Sequence, residues 1–191
     1  MLTWLELKIL CIQYLLLGLA MNIIETERLV ISVPSFDDAE GMVNLLNQDS
    51  FISNIADRGV RNEEDAKLFL KNGAMTMQKE LGFSMYTCRL KKSGEFIGSC
   101  GLIKRDGVER PEIGFALLDE FAGKGYAYEA AIAVLDYAKN KLAITPLHAI
   151  VNPCNESSIA LLTKLGFTSY GEVQVPKIDN SVVLFKQEKP L

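Results

Sequence analysis

The sequence predicts a mixed α/β domain, and two observations carry that prediction. Short runs of β-branched and apolar residues alternate along the chain with segments whose apolar residues recur every three to four positions. Glycine-, proline- and asparagine-containing turns separate the two kinds of segment. From Arg28 onward the expected order is β-α-α-β-β-β-α-β-α-β-β, which is typical of a sheet covered by helices.

Composition indicates a folded chain and argues against a nucleic-acid-binding or metal protein. Hydrophobic residues make up 49% of the 191 residues, which excludes a disordered chain. The net charge is -4 without any basic block, so nucleic acid is not expected as the main partner. The four cysteines form no C-x-x-C pair and His148 is the only histidine, so no metal site is expected. Scattered single cysteines suit a reducing, cytoplasmic location.

The first twenty residues form an apolar extension with three open interpretations. Glu6 and Lys8 interrupt the segment, which argues against a membrane span, and the same two charges cancel in what would be the positive region of a secretory signal. Met21 offers an alternative start, because the chain after it resembles the opening strand of a domain. We therefore expect the domain to cover 21–191, with 1–20 as a start-site extension, a packed or interfacial helix, or a signal. No firm membrane association is expected.

The first half of the domain contains two helices and the beginning of a sheet. A strand is predicted over Arg28–Val33, and Ser35 with Asp38 forms a capping box for the first helix. Asn62 and Asp65 signal the second helix. Its expected apolar stripe consists of Ala66, Phe69, Leu70 and Met77. Three strands follow, expected to pair antiparallel: Phe83–Leu90, Phe96–Lys104 and Glu112–Leu118.

The second half begins with a buried helix. Its apolar stripe contains Ala127, Ala130, Ala131, Val134, Leu135 and Ala138. A strand is expected over Leu147–Val151, followed by a last helix that Asn155 caps and Gly166 ends. A closing hairpin is predicted from strands over 168–175 and 182–186.

The segment from Glu120 to Ala127 joins a strand to a helix and contains two glycines. Gly123 and Gly125 permit a sharp turn and a close approach of the backbone to a ligand. Free amides at a helix N-terminus bind phosphate groups. The spacing matches neither a nucleotide-hydrolysing P-loop nor a dinucleotide-binding fingerprint. Taken alone, the segment is equally compatible with a tight turn that binds nothing.

The wider pattern resembles the GNAT superfamily of N-acetyltransferases. EIGFALL and GKGYAYEA are followed by NPCNESSI and KLGF in the order and spacing of that family. The opening IETERLVI is similar to the Rim-type branch, which acetylates N-terminal amines of ribosomal proteins. The resemblance extends from about Asn22 to Phe185.

The resemblance implies a GNAT fold and acetyl-CoA as the acetyl donor. In that fold a mostly antiparallel sheet contains two parallel strands that splay apart, here Glu112–Leu118 and Leu147–Val151, with flanking helices. The pantetheine arm would pair with the first of these strands, and the pyrophosphate would lie on the glycine-loop amides. The implied cofactor-binding residues are Phe115, Leu117, Leu118, Gly123, Lys124, Gly125, Tyr126, Ala127, Asn155 and Ser158.

Acetyl transfer to an amine requires a neutral nucleophile, a stabilised oxyanion and a leaving thiolate. Glu112 is the candidate base, acting through water, because it begins the splayed strand and small residues, Gly114 and Ala116, follow on its face. The alternative is a structural glutamate in a salt bridge or in water. Leu162 occupies the position of the tyrosine that protonates the thiolate in many family members. A thiol pKa near 8.5 makes thiolate departure tolerable without it.

These inferences predict an N-acetyltransferase for a primary amine, preferably an α-amine at a peptide or protein N-terminus. An α-amine, with a pKa near 7.7–8.0, is more often neutral than a lysine side chain. Two alternatives remain open: acetylation of a small amine such as a drug, polyamine or amino acid, and a non-catalytic acyl-CoA-binding domain. Homodimer formation is also open.

Overall fold

A computed structural model describes residues 21–188, which form one eight-stranded sheet with six helices. The predictions for residues 1–20 lie outside the described residues. The strands are β1 (Met21–Glu25), β2 (Leu29–Val33), β3 (Met85–Leu90), β4 (Phe96–Ile103), β5 (Glu112–Leu117), β6 (His148–Val151), β7 (Phe167–Val173) and β8 (Val182–Gln187). The helices are α1 (Ala39–Leu46), α2 (Asp49–Asn54), α3 (Glu63–Leu70), α4 (Thr76–Leu81), α5 (Tyr126–Asn140) and α6 (Glu156–Lys164).

The strand order confirms a mixed, mostly antiparallel sheet. Across the sheet the strands run β1-β2-β3-β4-β5-β6-β8-β7, and β5 with β6 is the parallel pair. The closing hairpin inserts β8 between β6 and β7, so the last strand of the chain is not at the sheet edge. No helix within residues 21–188 is long and apolar enough to cross a membrane.

The parallel pair separates almost as soon as it forms. Glu112 opposite His148 is the registered position between β5 and β6, and the His148 N–H donates to the Pro111 carbonyl at 3.0 Å. Beyond that point β5 stays paired with β4 along its whole length, and β6 stays paired with β8. The two strands therefore bound a cleft that is closed at their N-terminal ends and open at their C-terminal ends.

The two faces of the sheet differ in character. One face packs against the alanine-rich side of α5 and carries the main core, in which Leu29, Ile31 and Val134 are fully buried. The other face carries polar side chains, and the hydroxyls of Ser32 and Thr87 lie 3.2 Å apart. Helix α1 covers part of this second face through the buried residues Ala39, Met42, Leu45 and Leu46.

Several local predictions are confirmed. Ser35 and Asp38 form the predicted capping box, although they start a 3₁₀ turn that leads into α1. Asn155 caps α6 by accepting from the Ser158 N–H, and Gly166 after it has a φ of 79°. Ser35 and Asn155 accept from free amides at a helix start, and Gly166 adopts the positive φ that ends a helix, as their residue types suggested.

Other predictions are wrong in ways that have a physical cause. Helix α2 was not predicted, because it is too short to show a full hydrophobic period. The opening strand expected after Met21 is present, but a turn divides the segment into β1 and β2. Phe69 was assigned to the buried stripe of α3 but is 36% exposed, whereas Ala66 and Leu70 are buried. The helix then widens into a π-helical turn over Lys71–Met75, which interrupts the stripe expected to continue to Met77.

Candidate functional site

The glycine loop forms an uncapped helix N-terminus at the open end of the cleft. Gly123 and Gly125 have φ values of 71° and 81°, a conformation that disfavours other residues. Gly125 is the N-cap of α5, and no side chain caps the first amides of this helix. A Cβ atom placed on Gly123 would have no atom within 4 Å, so the space beside the loop is open. Such an N-terminus is suited to bind an anion.

Arg28, in the β1–β2 turn, holds this loop in place. Its Nε lies 2.6 Å from Oε2 of Glu129 in the first turn of α5, and Nη1 donates to the Lys124 carbonyl at 3.0 Å. Its guanidinium carbon also lies 4.4 Å from the centre of the Tyr126 ring. Oε1 of Glu129 accepts from Thr26 Oγ1 at 2.5 Å and from the Arg28 amide at 2.8 Å. The β1–β2 turn is thereby tied to the helix N-terminus.

Lys124 has a different environment from its neighbours in the loop. Its ammonium lies 5.4 Å from the centre of the Phe121 ring, and its carbonyl is the group that Arg28 contacts. The side chain therefore packs along the 3₁₀ turn over Asp119–Phe121. Lys124 takes part in holding the loop through its backbone carbonyl, which accepts from Arg28, and not through its ammonium group.

The edge of β5 presents backbone groups to the cleft. The Pro111 carbonyl accepts a hydrogen bond from β6. Because every second residue of a strand directs its N–H and C=O groups to the same edge, those of Ile113, Phe115 and Leu117 also point towards the cleft. The Leu117 carbonyl already accepts from the side chain of Gln48 at 3.3 Å. The Leu118 N–H points to β4 and donates to Ile97 at 2.9 Å. Phe115 is thus the predicted strand residue best placed to pair with an extended ligand.

Asn155 and Ser158 lie at the start of α6, directly after β6. Oδ1 of Asn155 accepts at 3.0 Å from both the Ser158 N–H and the Ser157 hydroxyl. Because β5 and β6 are neighbours, these residues and the glycine loop flank the same open end of the cleft. Leu162, one turn further along, is 1% exposed and offers no polar group to a reaction.

Glu112 lies at the closed end, with 1% of its surface exposed. Arg105 Nε lies 3.1 Å from Oε1 and donates to Oε2 at 3.3 Å. Burial raises the pKa of the Glu112 carboxyl, while the charges of Arg105 and Lys104 and the Arg105 hydrogen bond oppose that rise. Within residues 21–188, Oε1 has no well-aligned hydrogen-bond donor. A buried carboxylate with a raised pKa and a free lone pair is able to accept a proton.

The space above Gly114 is not open, contrary to the expectation from its size. A Cβ atom placed there would lie 3.2 Å from Ile103 Cδ1 and 3.3 Å from Met85 Sδ. These two apolar side chains fill the sheet surface next to Glu112.

Three residues around the site were not identified from the sequence. Arg28 was within the resembling segment IETERLVI, but that segment gave no role for it. Gln48 and Arg105 lie at a helix end and in a loop, without a spacing pattern that could single them out. They come from segments far apart in sequence, so only the fold places them near the cleft.

The Arg28 contacts generate a first prediction. In Arg28→Gln, the amides over 123–129 should exchange with solvent about five- to tenfold faster, because a charge-assisted hydrogen bond and an aromatic contact are lost. Hydrogen exchange followed by mass spectrometry measures this directly. Lys124→Gln is the control, since its side chain makes no hydrogen bond to the loop in the described structure, and it should exchange like the unmodified protein. Equal exchange in both variants would show that Arg28 does not hold the loop.

Comparison with known proteins agrees with this geometry. Residues 28–168 match the family described as "Acetyltransferase (GNAT) domain". The chain is 30% identical over 149 residues to the uncharacterized N-acetyltransferase YnaD of Bacillus subtilis, covering 78% of this chain and 84% of YnaD. It is 36% identical over 92 residues to the uncharacterized protein YkkB of the same organism, where the match spans 47% of this chain and about half of YkkB (53%).

Solved structures share the fold at low sequence identity. An acetyltransferase from Agrobacterium tumefaciens superposes with a TM-score of 0.74 at 22% identity, covering 88% of this chain and 95% of that one. RimL, the ribosomal L7/L12 alpha-N-protein acetyltransferase, in complex with coenzyme A superposes with a TM-score of 0.73 at 14% identity, covering 87% and 97%. The family match, the named relatives and the splayed parallel pair agree that this chain belongs to the GNAT family of N-acetyltransferases.

Proposed function

We propose that this enzyme transfers an acetyl group from acetyl-CoA, bound between β5 and β6, directly to a primary α-amine of a peptide or protein. The observation that carries the proposal is the separation of β5 from β6 beyond the Glu112–His148 pair, with an uncapped helix N-terminus at the open end. The coenzyme A bound by RimL supports the choice of donor. An acetyl-CoA-dependent enzyme with scattered single cysteines suits the cytoplasm.

In this proposal the donor extends along the cleft. Its pyrophosphate lies on the amides of Gly123–Ala127, where the helix dipole favours negative charge. Its pantetheine pairs with the edge of β5 at Phe115, as an added strand would. Asn155 and Ser158 line the opposite side from α6. This arrangement directs the thioester towards the closed end, where Glu112 lies.

The chemistry then follows from the groups at the closed end. Glu112 accepts the amine proton, directly or through one water molecule, and the neutral amine attacks the thioester carbonyl. Backbone N–H groups on the cleft edge of β5 stabilise the oxyanion that forms. The tetrahedral intermediate then collapses: the C–S bond breaks, the second proton of the now cationic nitrogen passes to the departing thiolate through water, and coenzyme A leaves as the thiol. The moderate basicity of that thiolate requires no strong acid at Leu162.

The preference for an α-amine follows from the limited proton-transfer equipment of the site. One carboxylate is available, its pKa is raised by burial, and two cations lie near it. A lysine side chain has a pKa near 10.4, so its neutral fraction at neutral pH is much smaller than that of an α-amine. The activity of RimL on a protein α-amine supports the same choice.

The donor site is tested at Gly125. Valine at a φ of 81° is strained, so Gly125→Val should displace the loop amides and weaken coenzyme A binding about 100-fold. Gly94→Val is the matched control, because Gly94 has a φ of 74° in the distant β3–β4 turn. Calorimetry should give normal affinity for the control and a similar loss of thermal stability in both variants. Normal affinity in folded Gly125→Val would refute the proposed pyrophosphate site.

The base is tested by Glu112→Gln. The variant should lose roughly 10²–10⁴-fold in kcat at neutral pH. Because burial raises the Glu112 pKa, the unmodified enzyme should lose activity on the acidic side above the usual titration range of a carboxyl, and the variant should lack that limb. The deficit should shrink as pH rises, since more amine is already neutral. If the variant keeps full activity across this pH range, Glu112 is not the base and has only a structural role.

The acceptor is tested by competition between amines. Peptides with free or acetylated N-termini, each with one internal lysine, are offered together with spermidine and acetyl-CoA. Mass spectrometry should locate the new acetyl group on free N-termini, because the α-amine is the more often neutral group. Modification concentrated on lysine or spermidine would contradict the proposed acceptor and leave the fold and donor site intact.

A further inference from the structure

His148 is the first residue of β6 and lies directly opposite Glu112 at the closed end of the cleft. Residues that are in register on neighbouring strands direct their side chains to the same face of a sheet. His148 and Glu112 therefore share one face, and both are buried, with 6% and 1% of their surfaces exposed. The proposed acetyl transfer uses the Glu112 carboxylate and gives the imidazole of His148 no role.

Each of these two side chains has a buried atom without a hydrogen-bond partner. Among residues 21–188, no group bonds to Oε1 of Glu112 or to Nδ1 of His148. Buried polar atoms are nearly always paired, either with protein groups or with ordered water. The two atoms belong to adjacent side chains on one face of the sheet, the arrangement in which a shared partner satisfies both.

The surroundings of His148 keep its imidazole neutral at neutral pH. Burial is the main cause that lowers the pKa of His148. The positive charges of Lys186 on β8, and of Arg110 and Lys104 in the β4–β5 loop, lower it further, whereas Glu109 in that loop acts in the opposite direction. A neutral imidazole carries its proton on one nitrogen and accepts a hydrogen bond at the other. With the proton on Nε2, the unpaired Nδ1 is an acceptor.

Three cations near this end of the cleft are directed to other groups. The Lys104 ammonium donates to two carbonyls of its own loop at 2.7 and 3.0 Å. The Lys186 ammonium lies 4.3 Å from the centre of the Tyr170 ring. The Arg105 guanidinium pairs with Glu112 without a well-aligned bond to Oε1. The two unpaired atoms are thus both acceptors, and a partner common to them must supply two donors.

We propose that one water molecule donates its two protons to Glu112 Oε1 and His148 Nδ1 and thereby presents its lone pairs to the amine of the acceptor. The inference rests on the proposed function and specifies how the base reaches the amine. The water takes one proton from the ammonium nitrogen and passes one of its own to Glu112, so the amine becomes neutral and the carboxylate becomes the acid. His148 gains no proton. It is a positioning residue, because it fixes the second proton of the water and with it the direction of the lone pairs.

The first experiment compares His148→Asn with His148→Leu. The two new side chains have nearly the same shape, but asparagine has an oxygen that accepts a hydrogen bond close to the position of Nδ1. With a peptide that has a free N-terminus, His148→Leu should lose about ten- to thirtyfold in kcat and His148→Asn at most about threefold. KM for the peptide and the affinity for acetyl-CoA should stay nearly unchanged in both. If His148→Leu does not fold, His148→Val, which suits a strand, takes its place.

Thr145→Val is the matched control for these variants. It removes Oγ1 of Thr145, another buried atom without a hydrogen-bond partner, on the segment that leads into β6. Because Thr145 is not in register with Glu112, the variant should keep the kcat of the unmodified enzyme. A loss as large as that of His148→Leu would show that removing any buried polar atom has this effect, and the proposal would fail.

The second experiment tests whether His148 acts through Glu112. The double variant Glu112→Gln/His148→Leu should have nearly the kcat of Glu112→Gln alone, because an oriented water has no effect once the carboxylate that takes its proton is gone. His148→Leu alone should keep the acidic limb of the pH profile at a lower rate, since Glu112 still titrates. Losses that multiply in the double variant would show that His148 acts independently and would overturn the inference.

The outcomes separate this inference from the proposed function. An unchanged kcat in His148→Leu, or equal losses in His148→Leu and His148→Asn, would overturn the inference and leave acetyl transfer with Glu112 as the base standing. If Glu112→Gln itself keeps full activity, the proposed base fails first and this inference fails with it.

Discussion

The geometry of the cleft depends on how two neighbouring strands share their hydrogen bonds. β5 bonds to β4 over its full length and β6 bonds to β8 over its full length, while Glu112 opposite His148 is the registered position that joins them. Each strand is hydrogen-bonded to a neighbour on its outer side, so β5 and β6 can separate while both remain part of the sheet. The inner edges then present backbone donors and acceptors that are costly to leave unpaired in a closed site. An extended ligand that pairs with these edges removes that cost.

The helix after β5 provides the second part of the site, and its position is fixed from a distant part of the chain. Arg28 and Thr26 in the β1–β2 turn bind Glu129 and the Lys124 carbonyl. These contacts satisfy groups beside the loop and leave the first amides of α5 uncapped by any side chain. A loop held from outside has its amides oriented in advance, and such preorganisation lowers the entropy lost when a ligand binds.

The closed end of the cleft contains opposing electrostatic effects. Burial raises the pKa of Glu112, and Arg105 and Lys104 limit the rise. A carboxylate whose pKa burial raises is a stronger base than an exposed one, which suits a group that accepts a proton.

The sequence by itself determined the class of fold and the family, and it predicted which segments would form the donor site. A glycine pair between an apolar strand and an alanine-rich helix, followed by an asparagine cap, is local information, because backbone conformation and helix capping depend on nearby residues. Gly125 and Asn155 could be assigned in this way. Glu112 could be named as a candidate from its place at the start of a strand, but its burial and its ion pair could not.

The tertiary structure alone decided what surrounds those residues. Arg28 reaches Glu129 across about a hundred residues of chain, and this contact leaves no spacing pattern in the sequence. The space above Gly114 is filled by Met85 and Ile103 from neighbouring strands, against the expectation from its small size. Long-range contacts depend on which strands become neighbours, and that is set by the packing of the whole sheet rather than by any local segment.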